Sequence, residues 1–132
     1  MDFMEAIKRR HAVRSYEDRP IAADARHEMQ ELLYQLNLES GLRMQLVLNE
    51  PKAFSGFMAH YGKFSGVKNY IALIGKKGPG LDEDCGCYGE KAVLRAQLLG
   101  LNTCWAAMTY QKVPGALRIA PGEKLAAVIA LG

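Results

Sequence analysis

The sequence predicts an α+β domain, and three observations carry that reading. Apolar residues recur at helical period in two long stretches, near residues 25–36 and 82–99. Two other apolar runs, "NYIALIG" and "KLAAVIALG", are short and end at glycine, as buried strands do. The chain's 132 residues are 49% apolar and 23% charged, which is core material for one soluble domain and too little for two. The whole chain, 1–132, is therefore read as a single domain.

The elements follow in order. Asp2 and Glu5 have capping-box spacing, and Phe3, Ala6 and Ile7 share a helical face, so a first helix is predicted from about Asp2 to Arg10. "HAVRSYEDRP" holds β-branched and aromatic residues and ends at Pro20, which favours an extended chain. Ala25, Met29, Leu32, Leu33 and Leu36 form the apolar stripe of a second helix that stops near Ser40 and Gly41. "RMQLVLN" alternates Met44, Leu46 and Leu48, a strand covered on at least one face, and "NYIALIG" is a strand buried more completely. Between them, "EPKAFSGFMAHYGKFSGVK" reads as short helical and loop pieces. After the turn "GKKGPG" comes the longest helix, about Asp82 to Leu99. Its Ala92, Val93, Leu94, Ala96, Leu98 and Leu99 leave little polar face, so a central, buried helix is expected, with Gly100 at its stop. "TCWAAM" is extended or irregular, "VPGALRIA" a short helical turn and "KLAAVIALG" a last strand.

The net charge of +3 is mild and spread among acids, so neither a nucleic-acid face nor a membrane surface is indicated. No apolar run approaches the roughly 20 residues of a spanning helix. The opening "MDFMEAIKRR" has no apolar leader core, and with three cysteines the expected compartment is the reducing cytoplasm. Cys85 and Cys87 are separated by one glycine and would face different sides of a helix. No zinc-ligand spacing completes them, and Cys104 reads as a packed thiol. His27 reads as solvated, and His60 receives no role. "GKKGPG" lacks the Lys-Ser/Thr of a phosphate loop, and no Gly-x-Gly-x-x-Gly opens a helix.

Two constellations remain. "IKRRHAVRSY" concentrates cations at the end of the first helix. If Arg10 ends that helix and Arg14 follows in extended chain, two guanidinium groups can converge on one phosphate, each with bidentate donors. The same cations would also stabilise the helix dipole or simply be solvated. "GEKAVLRAQLLGLNTCWAAM" runs a buried helix into a small-residue segment holding the lone tryptophan. There, Ala106 and Ala107 allow close approach to the backbone, and Trp105 either covers a flat ring or fills the core.

Occurring together about ninety residues apart, these stretches resemble the nitroreductase-like FMN-binding superfamily. "EAIKRRHAVRSYEDRPI" looks like its N-terminal phosphate signature, Arg-x-Ser-x-Arg or Lys and then an aromatic. "LLGLNTCWAAM" is similar to its Gly-Leu-Gly-Thr-x-Trp segment, and "EKLAAVIALG" to its last core strand. The resemblance, together with the pattern, implies a three-layer α/β/α sandwich around a mostly antiparallel sheet. It implies that Arg10 and Arg14 bind the FMN phosphate or ribityl chain, with His11 nearby. Ala12 stands where the family usually has serine. Lys63 matches a lysine that reaches the pyrimidine edge, and Trp105, Ala106 and Ala107 lie along the isoalloxazine, with the Ala107 N–H toward flavin N5. Asn37 to Ser40 falls where a second subunit commonly touches the cofactor. An obligate homodimer is thus implied, with the helix near Asp82 to Leu99 at its centre and Gly86 and Gly89 allowing close helix approach. A C-terminal tail carrying further phosphate contacts is usual in the family, and the sequence ends at Gly132 without it. The implied activity is an FMN-dependent oxidoreductase that takes hydride from NADH or NADPH and reduces a small nitroaromatic, quinone or similar acceptor. No side chain is implied as catalytic, and no metal. The alternative is a flavin-binding sensor, storage or scaffold protein without turnover.

Overall fold

The computed structural model describes residues 2–56, 62–107, 110, 113 and 115–132. His60 and Met108 lie outside the described residues, as does Pro114 of the segment read as a helical turn. Within that segment Val113 and Ala116 close one i→i+3 turn (3.1 Å), and Leu117 to Ala120 carry no helix.

Helix α1 spans Phe3–Arg9, and the Asp2 side chain caps it by accepting from the Glu5 N–H (2.8 Å). Arg10 has left the helix: its φ/ψ of −63°/141° are extended, while its N–H still donates to the Ala6 carbonyl. Helix α2 spans Ala23–Ser40 and buries Ala25, Met29, Leu33 and Leu36 of the stripe its sequence period predicts, while Leu32 at the edge of that stripe is only partly buried. Gly41 ends it in the left-handed region, at φ 77°. Strand β1 (Gln45–Val47) follows, then a 3-10 turn at Lys52–Phe54, then strand β2 (Asn69–Lys76), buried from Asn69 through Gly75.

Helix α3 spans Leu81–Leu98. It ends in a Schellman motif: the Leu101 N–H donates to the Ala96 carbonyl and the Gly100 N–H to Gln97, with Gly100 at φ 79°. The helix packs against α1, α2, β2, β3 and β4 and is central, as expected. It is not buried all round. In its first half Leu81, Cys85 and Gly89 face the core while Asp82, Glu83, Asp84, Gly86 and Cys87 are exposed, because acids in a first turn complement the helix dipole from solvent. Strands β3 (Thr103–Ala106) and β4 (Glu123–Leu131) complete the sheet.

The order is β1-β2-β4-β3, with every neighbouring pair antiparallel. One bulge between β2 and β4 shifts the register after Leu73, which pairs with Ala127 while Ile74 pairs with Leu125. Alternation along the two central strands builds two cores. Ile71, Leu73, Ile129 and Leu131 meet α2 and α3. Tyr70, Ala72, Ile74, Val128 and Ala130 meet a second layer containing Phe54, Phe64 and Val67, with Phe54 and Phe64 ring centroids 4.7 Å apart. The sheet is thus the middle of three layers.

Candidate functional site

The segment after α1 is drawn onto the edge of the sheet. Ala12 forms a parallel bridge with Thr103, and the Val13 N–H donates to the Thr103 carbonyl (3.0 Å). One step further, Ser15 bridges Ser65: the Ser65 N–H donates to Arg14 (2.8 Å) and the Tyr16 N–H to Ser65 (2.9 Å). The two stretches singled out in the sequence therefore become neighbours. The basic segment lies along β3, the strand that carries Trp105.

Arg10 and Arg14 approach from different backbone states, the first from a helix end and the second from extended chain. Their charges bear on one place. Burial pushes the Cys104 thiol above its ordinary range, and Arg14 and then Arg10 each pull it back down. Arg14 also opposes the rise that burial imposes on the Tyr16 phenol. That phenol is held, its O–H donating to the Val13 carbonyl at 2.5 Å. Among the described residues Arg10 Nε is shut off from solvent with no hydrogen-bond partner, and a carboxylate oxygen, Glu90 Oε1, stands 3.7 Å away. A buried, unbonded cationic donor, on an arginine whose charge bears on the same thiol as that of a second arginine, is a feature that an anionic group would complete.

The remaining predicted residues divide. His11 is exposed, its Nδ1 3.1 Å from the Arg9 carbonyl, and Ala12 presents a bare methyl. Lys63 is exposed, sits at a left-handed φ of 64°, and lies two residues before the Ser65 bridge, hence beside Arg14 to Tyr16. Ala106 is buried and is the last β3 residue paired with β4, opposite Val128. Ala107, one residue on, is exposed, so small side chains and main chain form the surface there.

Trp105 resolves one of the alternatives the sequence leaves open. Its indole packs into the core, where a Cβ added at Gly89 would stand 2.5 Å from Trp105 Cη2 and 3.2 Å from Leu73 Cδ1. The absent side chain at Gly89 therefore admits this ring, whereas a Cβ at Gly86 would meet nothing within 4 Å among the described residues. Asn37 and Ser40 are likewise engaged within their own chain. The Asn37 amide donates to the Met44 carbonyl (3.1 Å) and accepts from the Met44 N–H (2.9 Å), and the Ser40 hydroxyl donates to Leu36 (2.7 Å). Both side chains close the turn from α2 into β1.

Gly89 and Glu90, consecutive on α3, touch the two halves of the site, and neither was singled out for it. Their partners stand far away in sequence, Trp105 on a later strand and Arg10 about eighty residues earlier, so no local period marks them. A cleft of about 350 Å3 bounded by Ser15, Arg19, Leu101, Asn102 and Gly132 contains none of the residues carried over from the resemblance. Cys85 and Cys104 are buried, Cys87 is exposed, and all three are free. His27 is exposed, 3.7 Å from Glu31. Among the described residues no group of His, Cys, Asp and Glu is placed to hold a metal ion, and no helix is long and apolar enough to cross a membrane.

The profile of a family described as "Putative TM nitroreductase" matches residues 2–132. Among solved structures, the FMN-dependent nitroreductase of Clostridium difficile R20291 is similar with a TM-score of 0.74 at 16% identity, over 98% of this chain and 86% of its own. The nitroreductase with bound FMN from Bacteroides fragilis NCTC 9343 gives 0.71 at 22%, over 100% and 88%. A nitroreductase family protein of Clostridium novyi NT gives 0.71 at 19%, over 100% and 86%. At these identities they show the fold alone. No curated protein matches.

Proposed function

The chain belongs to the nitroreductase family whose profile it matches, and from that premise we propose that it is an FMN-dependent oxidoreductase which uses NADH or NADPH to reduce a small electron-poor acceptor such as a nitroaromatic or quinone. The observation that supports this best is the pairing of the Arg10 to Arg14 segment with β3, which lays the chain between the two arginines along the strand of Trp105 and Ala106.

Bound FMN would supply the redox chemistry, accepting hydride from the nicotinamide and passing electrons on. The protein's residues bind and orient. Arg10 and Arg14 hold the phosphate or ribityl chain, with His11 and the main chain of Ala12 alongside, and Lys63 is the cation that reaches the pyrimidine edge. The Ala106 and Ala107 backbone lies against the ring system, and the Ala107 N–H is a donor toward N5, a fixed dipole that favours negative charge there. Trp105 acts from beneath by fixing the strand.

One sheet shared by both core clusters supports a single domain over residues 2–132. Homodimerisation is supported by Phe3, Met4 and Ile7 on α1 and Tyr34 and Leu38 on α2, all about half or more exposed. Beside them Phe3, Leu32, Leu36 and Leu94 line a groove of about 300 Å3. Three free cysteines support residence in the cytoplasm.

The test is an FMN titration followed by steady-state oxidation of NADH and NADPH with a panel of acceptors. Arg10→Ala is expected to weaken FMN binding by roughly 2 to 3 kcal/mol, the worth of a charge-assisted contact, and exposed Lys8→Ala to change it little. Equal, small effects at both positions would refute the assignment of Arg10. FMN bound without turnover would instead support a sensor or storage protein.

A further inference from the structure

Arg10 sits at a joint where its backbone leaves α1 and its side chain must be aimed by something outside its own segment. One carboxylate stands at the right place. Glu90, on the middle of α3, brings Oε1 to 3.7 Å from Arg10 Nε, beyond hydrogen-bond range but in ion-pair range. That Nε is shielded from solvent and unbonded, while the Arg10 side chain as a whole is 30% exposed. The accessible part of the side chain therefore lies elsewhere than Nε. A guanidinium offers donors along two edges, one through Nε and one formed by the two terminal nitrogens. A carboxylate on the Nε side leaves the terminal edge available.

Resting on the reading of Arg10 as a phosphate ligand, we propose that Glu90 is a positioning residue: it accepts from Arg10 Nε–H and turns the terminal edge of the guanidinium toward the FMN phosphate. Two features separate this from a carboxylate that merely competes with the phosphate. A competitor would occupy the terminal fork, where carboxylate and phosphate bind alike. And the exposed Arg14, whose charge bears on the same Cys104 thiol as that of Arg10, adds a second positive charge with Glu90 ionised. The covered Nε supplies the driving force, since a buried donor without an acceptor is costly and no other acceptor reaches it among the described residues.

The experiment compares FMN with riboflavin, which lacks the phosphate, by fluorescence titration of the flavin-free protein. Glu90→Ala is expected to weaken FMN binding about 5-fold, the scale of a partly exposed ion pair, and to leave riboflavin binding unchanged. Glu90→Gln keeps an acceptor of the same shape and should recover most of the loss; being isosteric, it also serves if the alanine variant folds poorly. In an Arg10→Ala background, Glu90→Ala should have no further effect. FMN binding that is unchanged or tighter in Glu90→Ala overturns the proposal, as does an equal loss of riboflavin or an equal loss without Arg10. If Arg10→Ala itself leaves the preference for FMN over riboflavin intact, the phosphate assignment fails and the role of Glu90 with it. A strong Arg10→Ala effect beside a silent Glu90→Ala defeats only the role of Glu90.

Discussion

Gly89 and Gly86 lie one turn apart on the same helix, and replacing each by alanine isolates the packing of the lone tryptophan. Alanine is favoured over glycine in a helix interior by about 1 kcal/mol, and both variants gain that. At Gly86 a Cβ meets nothing within 4 Å among the described residues, so the gain should appear in full as added stability. At Gly89 it would lie 2.5 Å from Trp105 Cη2 and 3.1 Å from Cζ2, closer than Cβ contacts are found, so the ring must retreat. The ring's strand is paired with β4 on one side and bridged to Ala12 on the other, which leaves little room to move. Overpacking of this kind costs about 1 to 3 kcal/mol. Gly89→Ala should therefore be less stable than Gly86→Ala by about 1 to 3 kcal/mol, read as urea midpoints followed by far-UV circular dichroism. Trp105 is the only tryptophan, so its emission reports the same event: a red shift in Gly89→Ala and none in Gly86→Ala. Equal midpoints and unchanged emission in both variants would refute the packing argument.

Two further outcomes follow from burial and backbone conformation. Gly66 has φ 72°, and a Cβ there would overlap the Tyr16 main-chain carbonyl oxygen, so Gly66→Ala should destabilise by more than about 2 kcal/mol in the same urea assay. Burial, aided by Asp82 and Asp84, pushes the Cys85 thiol from 9.0 up to about 11. Because the folded thiol resists ionisation, its contribution to stability is intact below pH 9 and falls as pH rises toward 11, where the unfolded chain alone is charged. Urea midpoints across that range should decline, less steeply in Cys85→Ala. At pH 8 a thiol reagent should label Cys87 quickly and the buried Cys85 and Cys104 only on unfolding.

The features legible in the sequence are local. Asp2 caps α1 because three residues separate it from Glu5, α2 buries the stripe its spacing dictates, and Gly41 and Gly100 end helices because only glycine takes a left-handed φ without strain. The family motifs were equally legible, being short runs of neighbouring residues. Tertiary structure decided what those runs touch. Period alone could not tell that α3 keeps an acidic solvent face over its first turns, since the apolar residues that suggested full burial belong to its second half. Nor could it tell that Trp105 turns inward onto Gly89, that Asn37 is spent on Met44, or that Glu90 meets Arg10. Helix and strand signals depend on neighbours three or four and two residues apart, whereas these contacts join positions set by the order of strands in the sheet. The bridge from Ala12 to Thr103, which no local rule encodes, is what makes two distant motifs neighbours in one candidate site.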